Sequence, residues 1–154
     1  MPPTHKSSTL SLMPQRELES LSEEECFALL GGPTVGRIVY VDDVGPIAVP
    51  VNYAMAGRDI VVRVEGGTKQ AAVRQPVITF EVDDIDEATR SGWSVVVRGT
   101  GREVETAAVT ALLGAMGGRF PKPWAFGVHN VWLQITPTCV TGRRLAAERR
   151  ADLF

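Results

Sequence analysis

The sequence predicts a mainly β fold: a six-stranded antiparallel split β-barrel with a few peripheral helices. Three observations carry that prediction. Strand-like runs outnumber helix-like ones, short turns join most of them, and the three helices are too few to cover both faces of a parallel sheet. Closing the sheet into a barrel removes the edges that such strands would otherwise expose.

The elements follow in order. Residues 1–17, rich in Pro, Ser and Thr, read as a flexible lead-in, followed by one domain over 18–146 and a polar tail over 147–154. Ser22 and Glu25 have the spacing of a capping box, and Glu23 and Glu24 suit the positive end of a helix. Phe27, Leu29 and Leu30 give that helix its apolar side, and Gly31 and Gly32 stop it. Residues 34–41 form a β-rich run that ends in the turn cluster Asp42-Asp43-Val44-Gly45. Residues 46–53 follow; Pro50 removes a ladder hydrogen bond, which predicts an edge or a bulge there. In the third strand, 59–65, Ile60, Val62 and Val64 share one face while Val61, Arg63 and Glu65 share the other.

A short helix is expected over 68–74, then a nearly all-apolar and central fourth strand over 77–82, then an acidic loop over 83–90. The fifth strand, 93–104, is long, with Gly99 and Gly101 marking a bend or bulge. A helix over 107–116 and a Pro-rich stretch over 119–127 lead to a sixth strand over 128–136 and a last extended piece over 139–145.

Composition excludes several functions. With 154 residues, 44% hydrophobic and 22% charged, the chain is globular and holds one domain. A net charge of -2 gives no electrostatic reason to expect nucleic acid or an acidic membrane as partner. Arg143, Arg144, Arg149 and Arg150 are mixed with Glu148 and Asp152 and read as a solvated tail. Cys26 and Cys139 stand among apolar residues without CxxC or Cys/His partners, which argues against zinc and against a disulfide framework. Buried free thiols, the lack of a membrane-length apolar run and an N-terminus without a signal core predict a cytoplasmic protein.

The familiar catalytic motifs are missing: no GxSxG, no Walker loop, no GxGxxG after a strand, no HExxH. His5 lies in the lead-in and His129 at a strand start; Asp83, Asp84, Asp86 and Glu87 lack the spacing of a calcium loop, so no metal is expected. A chain without its own acid, base or nucleophile constellation suits chemistry carried by a cofactor. The best candidate site is Arg63-Val64-Glu65-Gly66-Gly67-Thr68-Lys69. Two glycines allow close backbone approach, Thr68 stands where a helix is capped, and Lys69 is a cation in a first helical turn, where an anion would be welcome. Arg63 could grip the same anion from the preceding strand. A plain glycine turn with a cap and two surface cations is the alternative reading of these residues.

The series Gly36-Arg37-Ile38, Val49-Pro50-Val51-Asn52-Tyr53, Arg63 with Gly67-Thr68-Lys69, Phe80-Glu81-Val82-Asp83, Gly92-Trp93-Ser94-Val95 with Gly99, and Thr141-Gly142-Arg143-Arg144 resembles the pyridoxamine 5'-phosphate oxidase-related family over 18–145. The resemblance implies a split barrel that dimerises and holds FMN at the subunit interface. On it, Arg63, Thr68 and Lys69 hold the FMN phosphate, and Pro50, Val51 and Asn52 lie along the isoalloxazine ring. Val62 and Arg63 flank the ring with their backbone, and Trp93 and Ser94 reach the flavin of the other subunit. The C-terminal arginine- and histidine-bearing segment that grips substrate phosphate in the family's namesake has no counterpart here. The function expected is therefore an FMN-dependent oxidoreductase acting on a small molecule by hydride transfer at the flavin. A deazaflavin-dependent reductase and a non-catalytic flavin- or haem-binding protein are the alternatives. Arg37, Tyr53, Trp124 and His129 are the candidates for a polar substrate pocket.

Overall fold

The computed structural model describes residues 16–115 and 130–147. In chain order these residues form β1 (Leu18–Ser20), α1 (Glu23–Leu30), β2 (Val35–Val41), β3 (Pro46–Ala56), β4 (Asp59–Glu65), α2 (Gly66–Arg74), β5 (Ile78–Asp86), β6 (Ser91–Val104), α3 (Thr106–Ala115) and β7 (Asn130–Leu145). All pairings are antiparallel. The order β7-β4-β3-β2-β5-β6 closes on itself through a β6–β7 pairing, giving the six-stranded barrel that the sequence predicts. Strand β1, three residues with no apolar pattern, adds to the end of β7 and was not foreseen.

Alternation fills the barrel. Ile38, Tyr40, Val51, Tyr53, Ile60, Val62, Val64, Ile78, Phe80, Val82, Val95, Val97, Leu133 and Ile135 point inward into one cluster, with Cys26 and Leu30 of α1 and Ala72 of α2 closing it. The opposite face of β3 and β4 carries Ala54, Ala56 and Val61, which pack with Trp132 under Val109 and Leu113 of α3. Burial of this kind contributes about 1.5–3 kcal/mol per large apolar side chain, so alternation rather than helix propensity holds the fold.

Several sequence expectations are corrected in detail. The acidic run is no loop through its first half: Asp83 to Asp86 continue β5 and pair with β6. The turn begins only after Asp86, whose Oδ1 accepts from the backbone N–H groups of Ala88 and Thr89. The last two extended pieces are one strand, β7, and Arg143 and Arg144 belong to it rather than to a tail. Cys26 is fully buried, but Cys139 is exposed. The bulge expected near Gly99 is present: the β6–β7 register shifts between Arg98 and Gly99, where a Cβ would collide with the Thr136 carbonyl. No helix among the described residues is long and apolar enough to cross a membrane.

Pro50 also finds its explanation. β4 pairs with β3 only from Asn52 to Ala56, so among the described residues the half of β3 that holds Pro50 has β2 as its sole strand neighbour. The proline stands on a local edge, exposed, opposite Arg37.

Candidate functional site

The candidate residues fall along the corner where β4 turns into α2 and on the outward face of the adjoining strands. Asn52 is the direct cross-strand partner of Arg63, and Arg63 of Trp132. Because pleat alternation is strict, Pro50, Asn52 and Arg63 share the outward face, whereas Val51 and Val62 are buried in the core. The two valines therefore offer a ligand only their backbone. The Asn52 side chain makes no hydrogen bond among the described residues, leaving its amide donors and acceptor available.

Arg63 lies with its guanidinium 5.4 Å from the centroid of the Trp132 ring. Stacking on an aromatic face satisfies the cation but no N–H group, and its Nε is buried without a hydrogen-bond partner among the described residues. Buried donors are nearly always paired, so an orphan at this corner is the local observation most in need of a ligand.

The helix that follows begins two residues earlier than its composition suggests. Glu65 is the N-cap and makes no side-chain cap bond, so Gly66, Gly67 and Thr68 form the first turn. Thr68 is accordingly not the cap; its hydroxyl lies 3.3 Å from the Tyr40 hydroxyl at the barrel mouth. No acidic side chain stands in the first turn, and a Cβ on Gly66 or Gly67 would meet nothing within 4 Å. The N–H groups of this turn have no intrahelical acceptor and stand at the positive end of the helix. Gln75 fixes the other end: it accepts from the Val41 N–H at 3.1 Å and donates to the Val41 carbonyl at 2.7 Å. Lys69 is not free in this state, since its Nζ lies 3.0 Å from Glu103 on β6.

Trp93 and Ser94 are not brought to this corner. β6 reaches the corner only by its far end, where Glu103 and Val104 pair with Leu133 and Trp132, whereas Trp93 and Ser94 pair with Arg144 and Arg143 at the other end of β7. The two residues also point opposite ways. Ser94 is paired with Asp83 and Arg143, while Trp93 packs against the core and lines a cleft of about 470 Å³ with Ala28, Leu29, Gly32, Pro33, Asp83 and Asp84.

Of the substrate-pocket candidates, Tyr53 is excluded by burial. Its hydroxyl donates to the Leu30 carbonyl at 2.6 Å, and burial pushes the phenol well above its usual range. Arg37 is half exposed and donates to Glu81 at 2.9 Å and to Asp83 at 3.4 Å. Burial holds the Glu81 carboxyl above the usual carboxylate range, with the Arg37 bond pulling the other way. Trp124 and His129 lie outside the described residues. Sequence reasoning missed Trp132 and Glu103, whose relevance depends on strand register.

Comparison with known proteins gives a consistent picture. Residues 22–144 match the family described as pyridoxamine 5'-phosphate oxidase. An uncharacterized protein of Mycobacterium tuberculosis is 32% identical over 141 residues, 88% of this chain and 90% of its own length. Among solved structures, an FAD binding protein from Mycobacterium smegmatis is 35% identical with a TM-score of 0.66, covering 83% of this chain and all (100%) of the other. An FAD-binding protein from Mesorhizobium loti, at 24% identity and a TM-score of 0.64, covers 84% of this chain and 99% of its own. At that identity the likeness is one of fold.

Proposed function

The chain belongs to the pyridoxamine 5'-phosphate oxidase family, and from that premise we propose that it binds FMN between two copies of itself and serves as an oxidoreductase acting on a small molecule. A flavin cofactor has support from the family and from the 35% identical FAD binding protein. The observation that carries the placement is the buried, unpartnered Nε of Arg63, next to a helix start with no side-chain cap and open space above its glycines.

In this reading the phosphate lies against the N–H groups of Gly66, Gly67 and Thr68, with Arg63 and Lys69 supplying charge. Asn52 and the backbone around Pro50, Val51 and Val62 orient the ring on the outward face of β3. Trp93 and Ser94, remote from that corner within one copy, would serve the site of the second. When bound, the flavin supplies hydride transfer; the chain binds, orients and shields it. The cytoplasm is the compartment this reading assigns.

The test is titration with FMN and riboflavin, followed by mass spectrometry of whatever the purified protein releases on denaturation. FMN should bind at least about tenfold tighter than riboflavin, because a phosphate-free ligand leaves Arg63 and the helix start unpaired. Equal affinities would refute the placement. Release of FAD would favour a second reading, in which the relative's cofactor is shared and a diphosphate continues over the open glycines. A protein that ignores flavins and binds a deazaflavin would make the cofactor a deazaflavin instead.

A further inference from the structure

We infer that Glu103 is a specificity-determining residue of the phosphate clasp, occupying Lys69 when no anion is bound and weakening the grip on whatever anion replaces it. The inference rests on the phosphate placement above. Glu103 comes from β6, where it pairs with Leu133 of β7, and it reaches across to α2. The Lys69 side chain is only 18% exposed and Glu103 is 54% exposed, so the lysine is the fixed partner and the glutamate the movable one. An exposed carboxylate can swing into water at little cost, whereas a lysine packed over the helix start cannot.

The consequence is one of charge. Arg63 and Lys69 together offer two positive charges, which Glu65 at the helix cap and Glu103 offset. Arg63 has no carboxylate partner of its own among the described residues, and of the two glutamates it is Glu103 that is paired with a clasp cation, so Glu103 is the one an incoming anion displaces. A carboxylate close to the clasp lowers the local potential, and every bound anion feels that in proportion to its own charge. The phosphate monoester of FMN carries nearly two negative charges at neutral pH, and a phosphate within the diphosphate of FAD carries about one. Riboflavin brings none. Glu103 thus restrains FMN most, FAD less and riboflavin not at all.

The experiment measures FMN, FAD and riboflavin binding by flavin fluorescence for the full chain, Glu103→Gln, Lys69→Ala and the double variant, with thermal midpoints checking that each is folded. Glu103→Gln should tighten FMN by about three- to tenfold, tighten FAD by a smaller factor and leave riboflavin unchanged. The gain should shrink at high salt, and in the double variant it should fall to the through-space part that does not pass through Lys69. If Lys69→Ala weakens FMN relative to riboflavin but Glu103→Gln leaves FMN unchanged or weaker, the role of Glu103 is refuted and the phosphate placement stands. If Lys69→Ala does not alter the preference for FMN over riboflavin, the placement itself falls, and the inference with it.

Discussion

Two corners of the barrel, both built where one element turns into the next, differ in how completely their polar groups are paired. The turn from β5 to β6 satisfies itself. Asp86 accepts two backbone N–H groups, the Thr89 and Ser91 hydroxyls meet at 2.7 Å, and Arg16 donates to the Arg90 carbonyl at 2.7 Å. The corner from β4 to α2 does not. Among the described residues its Arg63 Nε is buried and unpaired, its helix start has no side-chain cap and its Asn52 amide is unengaged. Both regions look polar and turn-like in sequence. What separates a scaffold from a binding surface is whether the donors are already spent, since an unpaired buried donor costs about 1–3 kcal/mol unless something arrives to accept from it.

The largest expected effect tests the unspent corner. Arg63→Ala and Lys69→Ala should each cost about 1.5–3 kcal/mol of FMN affinity, roughly ten- to a hundredfold. Arg63→Lys should recover only part, because an ammonium neither stacks on Trp132 as a plane nor offers a fork. The losses need not add, since both cations are proposed to act on one phosphate. Arg58→Ala is the control: that guanidinium is spent on Glu23 at 2.7 Å and on the Phe27 ring. If Arg58→Ala weakens FMN as much as Lys69→Ala does, pairing is no guide to where the ligand sits.

A smaller effect, on stability alone, is expected at Tyr53. Tyr53→Phe removes a buried bond to the Leu30 carbonyl at the end of α1 and should cost about 1–2 kcal/mol in denaturant unfolding, with FMN affinity unchanged. The pH sign follows from burial, which raises the phenol above its unfolded value of about 10. That contribution is fully present below pH of about 10 and is lost as pH rises beyond it, so Tyr53→Phe should be the flatter of the two on the alkaline side. A steeper alkaline loss in the variant would contradict the assignment.

How much of this was legible beforehand depends on range. The barrel class, the capping box at Ser22 and the two faces of β4 are written in local patterns, and all appear. The glycines at 66 and 67 read as a turn because their propensity is poor, yet packing of Ala72 into the core and the Gln75–Val41 bonds carry the helix over them. Tertiary contact overrides propensity there. Trp132 and Glu103 were invisible for another reason. Each acquires meaning from register, as partner of Arg63 or of Lys69, and register between distant strands has no signature in a single strand. The pairing of Asn52 with Arg63 is likewise a matter of register, and the two residues were singled out separately, through the family resemblance.

The smallest expected effect belongs to the self-satisfied turn and concerns its pH dependence. Asp86 has its carboxyl held below the usual range, chiefly by the N–H of Thr89, then by the Thr89 hydroxyl and the N–H of Ala88. A carboxyl depressed in the folded state stabilises above its unfolded pKa of about 3.9 and loses that contribution as pH falls through the folded value. Between pH of about 5 and 2 the parent chain should therefore lose more stability than Asp86→Asn, whose amide oxygen still accepts from the turn but cannot be protonated in that range. Thermal midpoints measured across that interval give the comparison, and the two curves should converge toward the acid end. Since this turn is spent on itself, FMN affinity should be equal for both chains at neutral pH. A drop in flavin binding for Asp86→Asn would mean that the turn reaches the ligand after all, and the contrast between the two corners would have to be redrawn.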